Sequence, residues 1–232
     1  MSYDSVETKE PSTGGTAFKT DLISGVHTQI VKLDGGAEGA SVPIKSDGAT
    51  GALNVIDYEH HEIHSGSSFA VNISNITANS DDDRTLIGFE TPAGTKWAHL
   101  VVIASASAAA EVFLYEGVTI DDDEGTEIAI LDRNRNTANT STMLSFEATP
   151  VAGQATWMTE AQVNTANFSA TTILDHHILV AGAGSKPAGG NTRSTQEWVL
   201  APSTKYAVVV QNIGALVNTH AITLDWYEHT DL

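Results

Sequence analysis

The sequence contains no cysteine among its 232 residues. A disulfide framework, a thiolate nucleophile and a zinc site with cysteine ligands are therefore excluded. A chain of this length accommodates one large β-sandwich or two small domains. Because apolar residues make up 41% of the chain, we expect a true hydrophobic core, held by packing, by a partner, or by both.

Long apolar runs are also missing. The longest uncharged and mostly apolar stretch, residues 98–110, is shorter than the roughly 20 residues needed to span a bilayer. The first fifteen residues are acidic and polar, without the basic and apolar regions of a signal peptide. We therefore expect a soluble protein without a membrane partner.

Basic residues are scarce. Eleven Lys and Arg stand against 29 Asp and Glu, which gives a net charge of −18. Such a surface repels phosphate backbones, so nucleic acid is not an expected partner. It also repels itself at low ionic strength, and high salt screens that repulsion. The composition predicts a salt-adapted protein, with an ordinary acidic surface as the alternative.

Helical periodicity is nearly absent, and from residue 57 onward short alternating segments are separated by turn residues. This pattern predicts an all-β fold, an antiparallel β-sandwich of jelly-roll or Ig-like type over residues 57–232. The predicted strands, about ten in number, are 67–77, 84–90, 95–105, 110–117, 126–132, 141–148, 171–181, 194–201, 204–213 and 218–228.

Two further expectations concern this domain. Residues 151–168 are the least strand-like part and indicate a long loop or one short helix around 159–163. Three of the four tryptophans lie in predicted strands, where burial is the expected fate of the ring. Trp157, in the irregular segment, is the tryptophan we expect to be exposed.

The first 56 residues have a different character. Residues 1–20 are polar and indicate a flexible segment. Residues 26–56 contain Asp-Gly turn signals at 34–35 and 47–48 and are typical of an extended or hairpin arm. This N-terminal arm, 1–56, is too thin to hold a core alone, so we expect it to pack on a neighbour.

The stretch DYEHHEIHSG, residues 57–66, concentrates three histidines and two glutamates. It is one residue short of the H-E-x-x-H motif of zinc proteases. If it is a strand, His60, Glu62 and His64 share one face, and Glu59 and His61 share the other. A second Tyr-Glu-His occurs near the end of the chain, in LDWYEHT at 224–230.

Three interpretations of this cluster remain open, of which the simplest is a solvated surface segment. In the second, a divalent cation binds His60, Glu62 and His64 together with His229. In the third, the cluster is a structural hydrogen-bond network, in which the two Tyr-Glu-His segments pair as adjacent strands. The residues of that network are Tyr58, Glu59, His61, Tyr227 and Glu228. For His176 and His177 we expect one side chain inside, one outside and no ligand role.

Catalytic motifs are not found. The sequence has no G-x-S-x-G elbow and no phosphate-binding P-loop, and no pair of carboxylates stands out, so an enzyme is not expected. The acidic runs at 81–83 and 121–124 lack the spacing of a calcium loop and indicate hydrated loop tips. Four glycosylation sequons matter only in a host that glycosylates the protein: Asn72, Asn75, Asn139 and Asn167.

Several motifs together resemble a family of virion proteins of tailed viruses. The most distinctive is DYEHHEIHSG with the following phenylalanine, and the others are individually weaker. They occupy residues 27–35, 57–69, 91–99, 114–117, 133–136 and 224–229, so the similarity runs through nearly the whole chain. The resemblance implies a structural role in the particle and identifies no catalytic residue.

The resemblance further implies a capsid-decorating subunit of cement, turret or head-fibre type. The arm would bind the capsid shell or other virion proteins, and the sandwich would project as a trimer or pentamer. Such a protein is located in the virion after assembly in the host cytoplasm, and the acidic bias suggests a salt-loving archaeal host. The alternative is a tail or baseplate component that binds a host receptor or glycan.

The charge excess predicts a salt-dependent stability. At pH 7, raising NaCl from about 0.1 M to about 1 M should increase the melting temperature by several degrees, because the Debye length shrinks to about 3 Å. Thermal unfolding followed by circular dichroism measures the effect. Near the sequence pI of about 4.6 the same salt step should change little. An equal increase at both pH values would contradict charge screening as the cause.

Overall fold

A computed structural model of the chain divides it into two compact units, Met1–Ile56 and Asp57–Leu232. The structure describes residues 4–8, 16–23, 26–29, 58–78, 81–119, 125–146, 149–159, 171–180 and 197–230. Within these ranges, no helix is long and apolar enough to cross a membrane.

The first unit contains a three-stranded antiparallel meander. Its strands are β1 (Asp4–Thr8), β2 (Thr16–Ile23) and β3 (Val26–Gln29), in the order β1-β2-β3. The prediction of a flexible segment over residues 1–20 is therefore wrong where β1 and β2 form. The predicted arm beyond residue 29, with its two turn signals, lies outside the described residues.

The second unit is an antiparallel sandwich of two sheets, which confirms the predicted fold class. Its elements are α1 (Tyr58–Ser65), β4 (Ser68–Ala78), β5 (Arg84–Glu90), β6 (Lys96–Ala106), β7 (Ala110–Glu116), β8 (Thr126–Ala129), β9 (Leu131–Asp132), β10 (Gln154–Thr159), β11 (Thr172–Leu179), β12 (Trp198–Val199), β13 (Lys205–Asn212) and β14 (Asn218–Thr230). One sheet has the order β11-β7-β13-β5-β10-β8 and the other β12-β6-β14-β4-β9.

The strand order is that of a jelly roll. Eight strands pair as a rolled-up hairpin: β4 with β14, β5 with β13, β6 with β12, and β7 with β11. Rolling adds the pairs β6–β14 and β7–β13, so the last two strands lie between earlier ones. Two interlocked antiparallel sheets of this kind distinguish a jelly roll from an Ig-like sandwich.

The connection between β7 and β11 carries the three remaining strands. β10 pairs with β5, β8 pairs with β10, and β9 pairs with β4, so this connection widens both sheets on the same side. The prediction of a loop or helix over 151–168 is wrong for 154–159, which form β10. Residues 160–168 lie outside the described residues.

Most strand predictions are confirmed within one or two residues, and three segments differ. The predicted strand 126–132 divides into β8 and β9, which belong to different sheets. The predicted strand 141–148 reduces to isolated bridges of Leu144 with Glu90 and Ala152. Its Phe146 packs instead over Gly88 of β5, where an added Cβ would lie 1.9 Å from the ring. The predicted strand 194–201 is reduced to Trp198–Val199 among the described residues.

The hydrophobic core fills the space between the sheets. Alternate residues of each strand supply it, such as Val208 and Val210 from β13 and Ile222 and Leu224 from β14. The six-stranded sheet is also covered on its outer face, where Phe146 packs with a second buried group. Coverage on both faces explains why β13 reads as a continuous apolar run.

The tryptophans are distributed differently from the prediction. Trp226 is buried in the core and Trp198 packs against it. Trp157 is half-buried in β10, whereas Trp97, at the start of β6, is 38% exposed. The expected exposure of Trp157 and burial of Trp97 are therefore wrong, because β10 forms where a loop was predicted and Trp97 faces outward.

A buried polar chain joins the two sheets at one end of the sandwich. His220 of β14 is fully buried, and its Nδ1 and Nε2 lie 3.0 Å from Thr85 Oγ1 and 2.9 Å from Asn212 Oδ1. Asn75 Nδ2 donates to Thr85 Oγ1, and Asn218 Nδ2 donates to Asn212 Oδ1. Since Asn212 offers a carbonyl oxygen, His220 donates from Nε2 and accepts at Nδ1 as a neutral ring.

Burial lowers the pKa of His220 from 6.5 to about 4. In the unfolded chain this ring binds a proton near pH 6.5, and in the folded protein it does so only near pH 4. Its contribution to stability is therefore complete above pH 6.5 and is lost as the pH falls toward 4.

We predict that His220→Gln lowers the free energy of unfolding at pH 7 by about 1–3 kcal/mol, because buried partners lose their hydrogen bonds. The deficit relative to wild type should shrink between pH 6.5 and 4, since only the wild type loses the histidine contribution there. Urea unfolding at several pH values measures both effects, with His177→Gln on the exposed surface as the control. A deficit that does not change with pH would contradict the assignment.

Candidate functional site

The DYEHHEIH stretch forms a helix and not a strand, so the predicted strand faces are wrong. α1 ends in a Schellman motif: Gly66 N donates to Ile63 O at 3.1 Å and Ser67 N donates to Glu62 O at 3.0 Å. Gly66 has φ of +75°, and an added Cβ would lie 2.4 Å from Asn139 Nδ2. A glycine is therefore required where the helix turns into β4.

Helical geometry separates the side chains that the strand interpretation grouped together. His60 and His64 are one turn apart on the exposed side, with their Nε2 atoms 3.0 Å apart and ring centroids 4.6 Å apart. Glu62 lies two residues from each, on the buried side, and its Oε1 is 3.2 Å from His61 Nδ1. The carboxylate therefore does not join the two imidazoles.

Arg133, just after β9, attaches α1 to the sheet. Its Nη1 lies 3.2 Å from Glu59 Oε1 and 3.0 Å from Asp225 Oδ1 of β14. The same nitrogen donates to Ser68 Oγ at 3.3 Å. One half-buried guanidinium thus neutralises two carboxylates and joins the helix, the first strand of the jelly roll and the last strand.

The loop after β9 reinforces this attachment. Asn134 Nδ2 donates to His64 O and Asn139 Nδ2 donates to Gly66 O, both at 3.0 Å. Buried Asp132 holds the loop by accepting from the Asn134 and Asn139 amides and from the Thr137 hydroxyl. The carbonyls of His64 and Gly66, at the C-terminal end of α1, therefore have side-chain donors.

Glu228 of β14 is a buried carboxylate surrounded by donors. Its oxygens accept from Ser141 Oγ at 2.5 Å, Thr142 Oγ1 at 2.7 Å, Trp226 Nε1 at 3.0 Å and the Thr142 amide at 3.0 and 3.1 Å. Hydrogen bonds of this number and type offset the cost of burying the charge. Glu228 thereby fixes the β9–β10 connection to the central strand of its sheet.

A second histidine pair lies on the outer face of the five-stranded sheet. His99 Nε2 is 2.7 Å from His229 Nε2, and His99 Nδ1 contacts Glu197 Oε1. Tyr227 Oη donates to the same Glu197 oxygen at 2.7 Å, and its ring stacks on His99 at 4.6 Å. We call His99, His229, Glu197 and Tyr227 the imidazole–carboxylate cluster.

The contacts of this cluster define its hydrogen positions. His229 Nδ1 lies 2.8 Å from the Thr230 carbonyl, so it carries a hydrogen, and His99 Nδ1 donates to the Glu197 carboxylate. The two rings face each other through their Nε2 atoms, and Glu197 fixes the orientation of the His99 ring.

The four residues proposed as cation ligands are not brought together. His60 and His64 meet each other, Glu62 contacts His61, and His229 contacts His99. Among the residues that the structure describes, no group of three or more His, Asp or Glu side chains is arranged to hold a metal ion.

The residues of the predicted structural network have separate partners. Glu59 contacts Arg133, His61 contacts Glu62, Tyr227 contacts Glu197, and Glu228 has the donors given above. The predicted pairing of the two Tyr-Glu-His segments as strands is wrong, because Tyr58 begins α1 and Tyr227 pairs with Ser68 of β4. The Tyr58 side chain lies outside the described residues.

Other predicted surface features have clear positions. His176 and His177 are both exposed, which contradicts the expected arrangement of one side chain inside and one outside. His176 stacks on Phe113 at 4.4 Å, and His177 Nε2 lies 2.9 Å from Asp175.

The acidic run 81–83 contacts the β13–β14 region, where Asp81 and Asp82 accept hydrogen bonds from Gly214 and Gln211. The run 121–124 lies outside the described residues.

The sequons differ in accessibility. Asn72 is exposed on β4, Asn139 donates its amide to Gly66, and Asn75 is buried with its amide bonded to Thr85. A glycan on Asn75 is incompatible with the folded sandwich, because its Nδ2 lies inside. Asn167 lies outside the described residues.

Sequence reasoning missed Arg133, Glu197 and the role of His99. Arg133 and His99 lie within segments on which the sequence resemblance rests, but no local pattern connects them to partners that are far away in sequence. The sequence does contain two signals for the ends of α1: aspartate, at position 57, is a favoured N-cap type, and glycine, at position 66, is a favoured C′ residue.

Comparison of the chain with family models, curated proteins and solved structures returns no match.

We predict that Arg133→Met lowers the free energy of unfolding by about 1–3 kcal/mol, because Glu59 and Asp225 then face each other without their cation. Urea unfolding gives the stability, and amide hydrogen exchange should show faster exchange in α1. Arg135→Met is the control, since Arg135 is exposed and its Nη1 makes a long contact of 3.4 Å with the Asp132 carbonyl. Equal losses in both variants, or unchanged exchange in α1, would refute this role of Arg133.

Proposed function

We propose that the chain is a structural protein of a virus particle, in which it decorates the capsid as a cement, turret or head-fibre subunit. The observation that carries this proposal is the convergence of three motif segments that resemble the virion family. Residues 57–69, 133–136 and 224–229 meet at one end of the sandwich through Arg133 and Asn134.

The chemistry at this meeting point favours a structural role. Glu228 uses its oxygens on four donor groups, and Arg133 is committed to two carboxylates. Groups saturated in this way hold elements together and have little capacity left for proton transfer to a substrate. We therefore propose a protein without catalytic activity.

The fold gives supporting but weaker evidence. Jelly rolls occur in viral capsid proteins and also in lectins and other classes. Because one fold serves many functions, the topology supports a particle protein by analogy alone. The acidic composition, at −18, fits a particle assembled in a salt-rich host cell, such as a haloarchaeon.

We assign the contact with the shell to residues 1–56. This segment is a compact unit separate from the sandwich and contains its own small sheet. A small sheet needs an apolar face packed against another element for stability, and docking on a second surface would provide such packing. A closed trimer or pentamer on a particle symmetry axis would suit such a subunit.

One observation favours a tail or baseplate protein that binds a glycan. Trp97 is exposed on the outer face of the five-stranded sheet and pairs in register with His229. An exposed indole paired with His229 of the imidazole–carboxylate cluster offers a stacking surface, and the cluster offers hydrogen-bonding groups, which are the features that sugars require. Copy number in the particle separates the two proposals.

We predict that quantitative mass spectrometry of purified particles finds the protein in hundreds of copies, as expected for a component repeated over a shell. A dozen copies or fewer would place it in the tail and contradict the decoration role. The chain without residues 1–56 should keep the circular dichroism signal of the sandwich and fail to incorporate into particles. Normal incorporation of that shorter chain would contradict the role of the arm.

A further inference from the structure

The exposed face of α1 presents two convergent imidazoles. His60 and His64 are one helical turn apart, their Nε2 atoms lie 3.0 Å apart, and both side chains face solvent. Within the part of the chain that the structure describes, neither ring forms an ion pair with a carboxylate, in contrast to His99, His176 and His177. Two nitrogen lone pairs aimed at one point are the donor set of a chelate.

We propose that His60 and His64 form a two-histidine chelate for a late first-row divalent metal, with Cu²⁺ as the best match. Imidazole–metal bonds are about 2.0–2.1 Å long, so nitrogens 3.0 Å apart subtend roughly 90–95° at the ion. That angle is a cis edge of a tetragonal or octahedral site, which Cu²⁺ and Ni²⁺ prefer. A tetrahedral Zn²⁺ site needs nitrogens about 3.3 Å apart at the same bond lengths.

The surroundings hold this pair in place. α1 is attached before and after the histidines, by Arg133 to Glu59 and by Asn134 to the His64 carbonyl. A chelate on a fixed helix loses less conformational freedom on binding than one on a loop. The net charge of −18 also raises the local concentration of cations at low ionic strength.

The alternative state of the pair is a hydrogen bond between the two rings. It requires one Nε2–H and one Nε2 lone pair, whereas a metal requires lone pairs on both rings and places both Nδ1–H groups toward solvent. Because both side chains are exposed, water satisfies those Nδ1–H groups and the remaining coordination positions. The chelate is therefore chemically complete without a third protein ligand.

The site does not depend on the proposed virion function. It rests on the geometry of α1 alone, so failure to bind metal would leave the particle role untouched. Equally, a low copy number in particles would leave the metal site untouched.

The test is Cu²⁺ titration of the full chain by isothermal calorimetry, followed by electron paramagnetic resonance at one equivalent of Cu²⁺. We expect one site of highest affinity, whose spectrum shows two coordinated nitrogens. His60→Ala and His64→Ala should each weaken that site at least about tenfold, which corresponds to about 1.4 kcal/mol. Ni²⁺ should bind the same site more weakly, in accord with the order of metal affinities.

The matched control is His61→Ala, which removes a histidine from the same helix without touching the chelate. It should keep the affinity and the spectrum of wild type. His229→Ala tests the second histidine pair, and it should also keep the site of highest affinity. The proposal is overturned if His60→Ala and His64→Ala bind Cu²⁺ within about twofold of wild type, or if His229→Ala abolishes that site. Circular dichroism of each variant confirms that it is folded.

Discussion

The position of the last strand, β14, is the constraint on which the jelly roll depends. It pairs with β4 on one side and β6 on the other, so the centre of the five-stranded sheet is completed by the end of the chain. These pairings join residues more than a hundred positions apart, and their loop-closure cost is met only when both sheets form. The ion pair of Arg133 with Asp225 and the contacts of Glu228 with the β9–β10 connection both depend on the position of β14.

The register of β14 is fixed by polar residues at the two ends of its inner face. That face carries His220, then three apolar residues, then Glu228, and each polar group meets partners from other elements. A slip by one residue would place Asp225 among apolar side chains and expose Trp226. Removal of either buried group would leave its partners without hydrogen bonds, so both groups specify the register and also stabilise the fold.

The sequence predicted what depends on local alternation and failed where distant contacts decide. β5 was placed without error because turn residues bound its segment on both sides, at 81–83 and 92–94, and the sandwich followed from the number of such strands. The helix α1 was not predicted, because its eight residues have little apolar periodicity. It is stabilised instead by Arg133 and Asn134, from another part of the chain. The strand β10 was not predicted, and Phe146 was wrongly assigned to a strand. Both belong to the connection between β7 and β11, which covers the outer face of the six-stranded sheet along a path that no local pattern indicates.

The histidines of this protein have different roles because their ring nitrogens face different groups. His220 faces Asn212 and Thr85 in the core and is neutral, since neither partner compensates a buried charge. His99 faces Glu197 through Nδ1 and His229 through Nε2, so both of its nitrogens have partners. His60 and His64 face each other and water, which leaves both lone pairs available to a cation. A cluster of histidines in a sequence is therefore ambiguous until the fold assigns the partner of each ring.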